Sequence, residues 1–236
     1  MRAECAAEFT PDAWLSGHLD KAAFHLSNET GLVHHGRPMV ASGVSWFVDV
    51  KVQTSDTRKL RQLEDHGFHL IDTNLQLTRT GEALEPGGQA RHAKKSDAKR
   101  VAEIARTAFH YDRFHADPEI EDEMANEIKA SWASNFFKGQ RGEWMVVAEL
   151  EGDVAGFLQL LRGGDGALLI DLVAVDERYR GRGLANSMIS WANQHCLRNA
   201  PIRVGTQIAN VPSIRLYEGM GFKVDSATYV LHQHGC

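Results

Sequence analysis

Apolar residues in this chain change their period several times, and each change marks an element. Val101, Ile104, Ala105, Ala108 and Phe109 recur at helical spacing, and Ile120, Met124, Ile128, Trp132 and Phe136 line a second helix that Asp117-Pro118 would start. Three strand-like runs follow, Met145 to Leu150, Val154 to Leu161 and Leu168 to Val175, with turns expected at Gly152-Asp153 and Gly163-Gly164-Asp165-Gly166. Leu184, Met188, Trp191, Ala192 and His195 form the stripe of another helix. Ile202 to Ile208 reads as a strand, and Pro212 suits the first turn of a helix that Gly219 or Gly221 would end. Phe222 to Val224 and Ala227 to Gln233 would close the sheet.

Upstream, Ser42 to Val52 reads as a strand. Ser55 or Asp56 caps a short helix carrying Leu60 and Leu63 and closed by Gly67, and Phe68 to Leu77 is a further strand. The cluster Glu85-Pro86-Gly87-Gly88 cannot comfortably continue either kind of element. It divides the chain into a small α/β lobe over residues 1–88 and a second domain over residues 89–236.

Composition narrows the class. A length of 236 residues exceeds one domain of typical size, and 43% hydrophobic content suffices for a real core. The net charge of −5 gives no sign of a polyanion-binding surface, so no nucleic-acid partner is expected. The basic stretch from Arg91 to Arg100 reads as a solvated face where a helix begins. Three widely spaced cysteines, Cys5, Cys196 and Cys236, argue against a disulfide framework and for a reducing, cytoplasmic setting. No run approaches the roughly 18 to 20 apolar residues of a membrane span, and the N-terminus has no secretory pattern. His232-x-His234-x-Cys236 alternates at strand spacing and would place three potential ligands on one face. No carboxylate or second cysteine accompanies it in sequence, and His34-His35 and His66-x-x-His69 are less persuasive, so no metal is expected.

The chemistry begins at Arg178-Tyr-Arg-Gly-Arg-Gly-Leu-Ala185, where an apolar run ends and an amphipathic one starts. A strand that hands over to a helix through a glycine turn leaves backbone N–H groups without partners, aimed with the helix dipole at one spot. Such a loop cradles a diphosphate. Gly181 and Gly183 permit close approach, and Arg178, Arg180 and Arg182 add positive charge. The Lys-Ser/Thr of the P-loop is missing, as are the third glycine and distant acid of the dinucleotide fingerprint. A second segment carries Asn210, Pro212, Ser213, Tyr217 and Glu218-Gly219-Met220-Gly221-Phe222, with Asn210 and Tyr217 along one side of a helix.

Taken together, Arg-x-x-Gly-x-Gly-x-Ala and Asn-x-x-Ser-x-x-x-Tyr-Glu-x-x-Gly-Phe resemble the GNAT superfamily of N-acetyltransferases, which use acetyl-CoA. The order of elements fits over roughly residues 89–236 and implies an α/β fold with a mixed central sheet flanked by helices. The resemblance assigns the coenzyme pyrophosphate to Arg178 and to Arg180, Gly181, Arg182, Gly183, Leu184 and Ala185. It assigns the pantetheine arm to the backbone of Leu172, Val173 and Val175, and a further coenzyme contact to Asn210. Tyr217 falls where the family protonates the departing thiolate, and a phenol of pKa near 10 facing a thiol near 8.5 makes that transfer only slightly uphill. Asp171 stands where many relatives carry a glutamate acting as base through water, although a locally hydrogen-bonded aspartate is an equally open reading.

Residues 43–236, with Lys59-Leu-Arg-Gln-Leu-Glu-Asp-His-Gly-Phe68 and Phe114-His-Ala-Asp-Pro118, also look like one branch of the superfamily, the dTDP-fucosamine acetyltransferases. That branch acetylates the amine of a nucleotide-linked 4-amino-4,6-dideoxy sugar, which implies a small-molecule substrate, here contacted by Arg113 and His115, and a homodimer. Arg113 and His115 are equally readable as ordinary surface residues of a loop. Direct transfer asks mainly for positioning and a polarised carbonyl, served by a backbone N–H near Val173. Two other functions stay open: a peptide, protein or polyamine acetyltransferase, and a non-catalytic acyl-CoA sensor, against which the phenol of Tyr217 argues.

Overall fold

The computed structural model describes residues 8–28, 38–81, 84, 88, 90–198 and 200–236. Cys5, His34, His35 and Glu85, Pro86 and Gly87 of the expected boundary lie outside the described residues. Two compact units emerge, and neither is a continuous stretch of chain. The first gathers residues up to Asn74 with Asp112–Ala125 and Ala227–Cys236, and the second holds Leu75–Tyr111 and Asn126–Ser226. The division at residue 88 is therefore not where the compact units part, because the C-terminal strand pairs with the strand at residues 46–53 rather than closing on its sequence neighbours.

In the first unit, β1 (Glu8–Pro11), α1 (Ala13–Leu19), β2 (Ala22–Asn28), β3 (Trp46–Gln53) and α2 (Thr57–Asp65) are followed by β4 (His69–Arg79), whose first half belongs here. Asp12 caps α1 by accepting from the Leu15 N–H at 2.8 Å, and Asp56 caps α2 by accepting from the Lys59 N–H at 3.1 Å. The last eight residues of β10 (Lys223–Gly235) run antiparallel to β3, from Thr228 opposite Gln53 to Gly235 opposite Trp46. β2 lies parallel to the other edge of β3, and β1 antiparallel to β2. Leu26, Trp46, Val48, Val50, Val52, Leu63, Phe68 and Leu231 form the core of this unit. The elements at residues 8–28 are absent from the sequence reading because they are short. The two closing strands expected from the sequence are one continuous β10.

The second unit contains β5 (Ala90–His92), α3 (Ala98–Ala108), most of α4 (Asp122–Ser134), β6 (Trp144–Leu150), β7 (Asp153–Arg162), β8 (Leu168–Val175), α5 (Leu184–His195), β9 (Ile202–Gln207) and α6 (Val211–Gly219). β5, β6, β7 and β8 pair antiparallel in that order, and β9 joins β8 in parallel, giving the expected mixed sheet. One core, with Leu158, Leu160, Met188, Ile189, Ala192 and Tyr217, contains α5 and α6; the other, with Val101, Ile104, Ala105, Ala133 and Phe157, contains α3 and α4.

Four local expectations are corrected. The β6–β7 hairpin turns at Glu151-Gly152, both with positive φ (57° and 88°), and Asp153 already pairs with Leu150. Asp117 does not start α4, which begins at Asp122; its carboxylate accepts from the Glu119 N–H and reaches β10 instead. His195 is exposed rather than part of the α5 stripe, stacked on Trp191 at 4.2 Å. The basic stretch at 91–100 is a solvated face only in part: Lys94, Lys95 and Lys99 are exposed, whereas Arg91 lies in β5 and pairs with Asp97 at 2.7 Å and with Glu149.

Gly156 on β7 sits where the sheet meets α5. A Cβ there would lie 2.8 Å from the backbone oxygen of Ala174 and 3.2 Å from Met188 Cε. Because the nearer obstacle is backbone, Gly156→Ala is expected to cost about 1–3 kcal/mol in urea unfolding. Wild-type stability in that variant would mean that β7 and β8 separate without cost.

Candidate functional site

The turn after β8 keeps its backbone donors free. After the single turn Glu177–Tyr179, Gly181 and Gly183 adopt φ of 77° and 72°, and a Cβ at either would meet nothing within 4 Å. Gly183 begins α5 in the left-handed region with no side-chain cap, and the first helical bond runs from the Ser187 N–H to the Gly183 carbonyl at 3.0 Å. The N–H groups of residues 184–186 thus have no intrahelical acceptor and point out of the helix with the positive end of its dipole.

The arginines around this cradle are already engaged. Arg178 donates to Asp176 through Nε and Nη2, each at 3.1 Å, Arg180 to the carbonyl oxygens of Val175 (3.2 Å) and Ala108 (3.4 Å), and Arg182 to Glu151 at 3.3 Å. Arg178, followed by Arg100, holds the Asp176 carboxyl well below the usual carboxylate range.

Leading into the turn, β8 parts from β9. Register pairs join Leu168 with Ile202, Leu169 with Arg203 and Ile170 with Val204, and none joins residues 171–175 to β9. At the same point the β7–β8 ladder slips: Leu160 faces Ile170 but Gln159 faces Leu172, so Asp171 is the extra residue of a β-bulge. The bulge reverses the alternation of β8. Leu168 and Ile170 belong to the α5-side core before it and Val173 and Val175 pack there after it, while Leu172 and Ala174 belong to the α3/α4 core.

Asp171 is buried under donors. It accepts from Arg141 Nε at 2.8 Å and Nη2 at 2.6 Å, from Trp132 Nε1 at 3.0 Å and from Gln159 Nε2 at 2.8 Å. Three of these donors converge on Oδ2, and Arg141 Nη2 alone meets Oδ1. Arg141, Trp132 and Gln159 went unrecognised in the sequence, since nothing in their spacing ties α4, a loop and β7 to one residue of β8.

Asn210 caps α6 by accepting from the Ser213 N–H at 3.2 Å, leaving its NH₂ group free of that task. Tyr217, 2% exposed, packs in the core beside Phe222 with ring centroids 5.4 Å apart. Burial raises its pKa and keeps the phenol neutral.

Arg113 and His115 belong to the first unit and are both paired. His115 Nδ1 lies 2.6 Å from Asp112, and Arg113 lies 2.9 Å from Asp49. To meet a substrate, either would have to exchange that partner. Arg113 is one member of a longer buried chain: Lys21 to His234 Nδ1 at 2.9 Å, His234 Nε2 to Asp117 at 2.9 Å, Asp117 to His232 Nδ1 at 2.6 Å, and His232 Nε2 to Arg113 at 3.3 Å. His232 and His234 do share a face, as their spacing implies, but their carboxylate comes from Asp117 and Cys236 is exposed. The three potential ligand atoms lie within 4.8 Å of one another, and both imidazoles donate to the same Asp117 oxygen. The cluster as placed is a hydrogen-bonded network.

An unpaired strand edge runs into an uncapped helix N-terminus, on a mixed sheet between helices. In agreement with this geometry, residues 98–222 match the acetyltransferase (GNAT) family, and the chain belongs to it. Members of this family are acyltransferases that draw acetyl from acetyl-CoA. The chain is similar to dTDP-fucosamine acetyltransferase of Escherichia coli O6:H1, with 26% identity over 79% of this chain and 81% of that protein. It is also similar to the spore coat polysaccharide biosynthesis protein SpsD of Bacillus subtilis, with 34% identity over 58% of this chain; the match spans about half (47%) of that relative's length. Among solved structures, a GCN5-related N-acetyltransferase from Kribbella flavida superposes with a TM-score of 0.63 at 15% identity, covering 98% of this chain and 89% of that one. No helix among the described residues is long and apolar enough to cross a membrane.

The network around Asp117 yields a stability expectation. Desolvation would raise the Asp117 carboxyl, but hydrogen bonds from His232 and His234 outweigh it and hold the group far below its ordinary 3.8. A depressed carboxylate contributes stability that is complete above the unfolded-state value and is lost as pH falls through the folded one. Asp117→Asn is therefore expected to lower urea stability by about 2 kcal/mol at pH 7, because both imidazoles donate to Oδ2 and the Glu119 N–H to Oδ1, so an amide sets its NH₂ against a donor whichever way it turns. The gap from wild type should narrow as pH falls below 3.8. A gap that stays constant down to pH 2 would show that the carboxylate's charge is not what the strand needs.

Proposed function

We propose that this chain transfers the acetyl group of acetyl-CoA to the amine of a nucleotide-linked amino-deoxy sugar. The observation that carries the transfer reaction is the continuity of the unpaired β8 edge with the free N–H groups at the start of α5. In this reading the N–H groups around Gly181, Arg182, Gly183, Leu184 and Ala185 hold the coenzyme diphosphate, with Arg178 and Arg180 nearby. The exposed β8 edge at Leu172, Val173 and Val175 pairs with the pantetheine amides, and Asn210 offers its NH₂. The fit rests on the open space over both glycines and on the absence of a side-chain cap. Acetyl-CoA supplies the activated thioester.

A backbone N–H near Val173 polarises the thioester carbonyl, held rigid and dry so that it acts on developing charge. Tyr217 donates the proton to the departing sulfur. Burial widens the gap between phenol and a thiol in water, so this role requires the thiolate to be desolvated as well, which raises its proton affinity in turn. Asp171, tied by four donors, is assigned to orientation of the acceptor, and the proton of the weakly basic sugar amine leaves to water. The sugar-nucleotide acceptor is supported by two of the relatives, one named for dTDP-fucosamine and one for polysaccharide biosynthesis.

Thiol release from acetyl-CoA should be followed against dTDP-4-amino-4,6-dideoxygalactose, spermidine and a lysyl peptide. Preference for either of the last two overturns the sugar reading, and release with none overturns transfer to amines of these classes. Tyr217→Phe is expected to lower kcat by about 10²-fold with acetyl-CoA affinity unchanged. Equal loss of both, or of neither, removes the phenol from the acid role.

A further inference from the structure

Gln159 has a polar atom with nothing to bind. Its side chain is fully buried, Nε2 is committed to Asp171 at 2.8 Å, and Oε1 is buried with no hydrogen-bond partner. The amide cannot be turned round, because a carboxylate only accepts and so holds the NH₂ group toward itself. An orphaned buried carbonyl of this kind calls for a partner. The cover over it comes from the loop that carries Arg141: Gly142 adopts φ of 92°, and a Cβ on it would lie 3.2 Å from Gln159 Cγ. Arg141 itself is a surface side chain, 40% exposed, stacked 4.7 Å from the Trp132 ring and clasping Asp171 through two nitrogens.

A guanidinium on Asp171 is the type of cation that a protonated acceptor amine would be. An ammonium has three N–H donors in a compact head, enough for both Asp171 oxygens and for Gln159 Oε1, which the guanidinium leaves unmet. Arg141 is half-exposed and can swing into water, but the Asp171 carboxylate it leaves is only 7% exposed, so the exchange requires the incoming ammonium to replace both hydrogen bonds of the guanidinium. We propose that Asp171 and Gln159 form the ammonium subsite for the acceptor, closed in the free protein by Arg141, with Gln159 as a positioning residue. This rests on the amine-acetyltransferase reading and adds to it the two groups that select a primary ammonium over a hydroxyl.

The test is steady-state kinetics of Gln159→Met and Arg141→Met with the acceptor that wild type prefers among dTDP-4-amino-4,6-dideoxygalactose, spermidine and the lysyl peptide. Gln159→Met is expected to raise the acceptor KM about tenfold with acetyl-CoA KM unchanged and kcat within a few-fold. A merely structural glutamine, lost through its hydrogen bond to Asp171, would change both KM values and kcat together rather than the acceptor KM alone. Arg141→Met, which removes the competing cation, is expected to leave the acceptor KM unchanged or lower. A wild-type acceptor KM in Gln159→Met, or a tenfold higher one in Arg141→Met, overturns the subsite. Preference for spermidine or the peptide sinks only the sugar reading, because Gln159 is then judged on that amine.

Discussion

When Asp171 is inserted opposite the Gln159–Leu160 step, β8 must change which side chains it sends to each face, and it loses β9 at the same residue. One added residue thus does two jobs. It turns Leu172 and Ala174 into the α3/α4 core, and it ends the ladder that would otherwise consume the N–H and C=O groups of residues 171–175. A strand edge without a partner is normally a liability, because backbone polar groups must be satisfied somewhere. Here the edge leads straight into the uncapped start of α5, so the two sets of unmet groups follow one another along the chain. Anchoring the bulge is the task of the Asp171 carboxylate, which draws Trp132 of α4, Gln159 of β7 and Arg141 to the same point.

The anion cradle depends on backbone more than on the arginines that advertise it. Arg178, Arg180 and Arg182 all have acceptors of their own, and Asp176 restrains both Arg178 and Arg100. Charge of this kind shapes the loop and adds a favourable field. The backbone itself turns at positions that glycine alone adopts without strain, Gly181 at φ 77° and Gly183 at φ 72°. A bound diphosphate would therefore meet a prearranged surface, with no side chain to immobilise first.

Much of the catalytic unit was legible in the sequence because its elements are long and strictly periodic. Leu168–Val175 and the helix at 98–108 follow from alternation and from the 3.6 period, and the glycine turn from its place between them. The bulge was not legible, since Asp171 occupies a place in the alternation that a regular strand would equally provide. The first unit was harder for a topological reason. β3 takes its partner from nearly two hundred residues away, and Asp117, Arg113 and His232 meet only after the chain has returned through β10. Spacing placed His232 and His234 on one face but gave no means of finding the carboxylate between them.

The chain of groups from Lys21 to His25 in the first unit is worth more as a constraint on structure than as a source of stability. Its members alternate in sign or in donor character: lysine, imidazole, carboxylate, imidazole, guanidinium, carboxylate, imidazole. Asp49 is desolvated, yet Arg113 and His25 hold its carboxyl down at about 2. Burial lowers the pKa of His232 against the pull of Asp117, so the ring stays neutral, with Nδ1 donating and Nε2 accepting. Replacing such a network with apolar side chains would often be neutral for stability. What apolar groups lack is direction. Two imidazoles at alternate positions of β10 must both meet Asp117, and a slip of one residue would turn both away. On this argument the network fixes the register of β10 against β3, and the hydrophobic residues beside it supply the free energy.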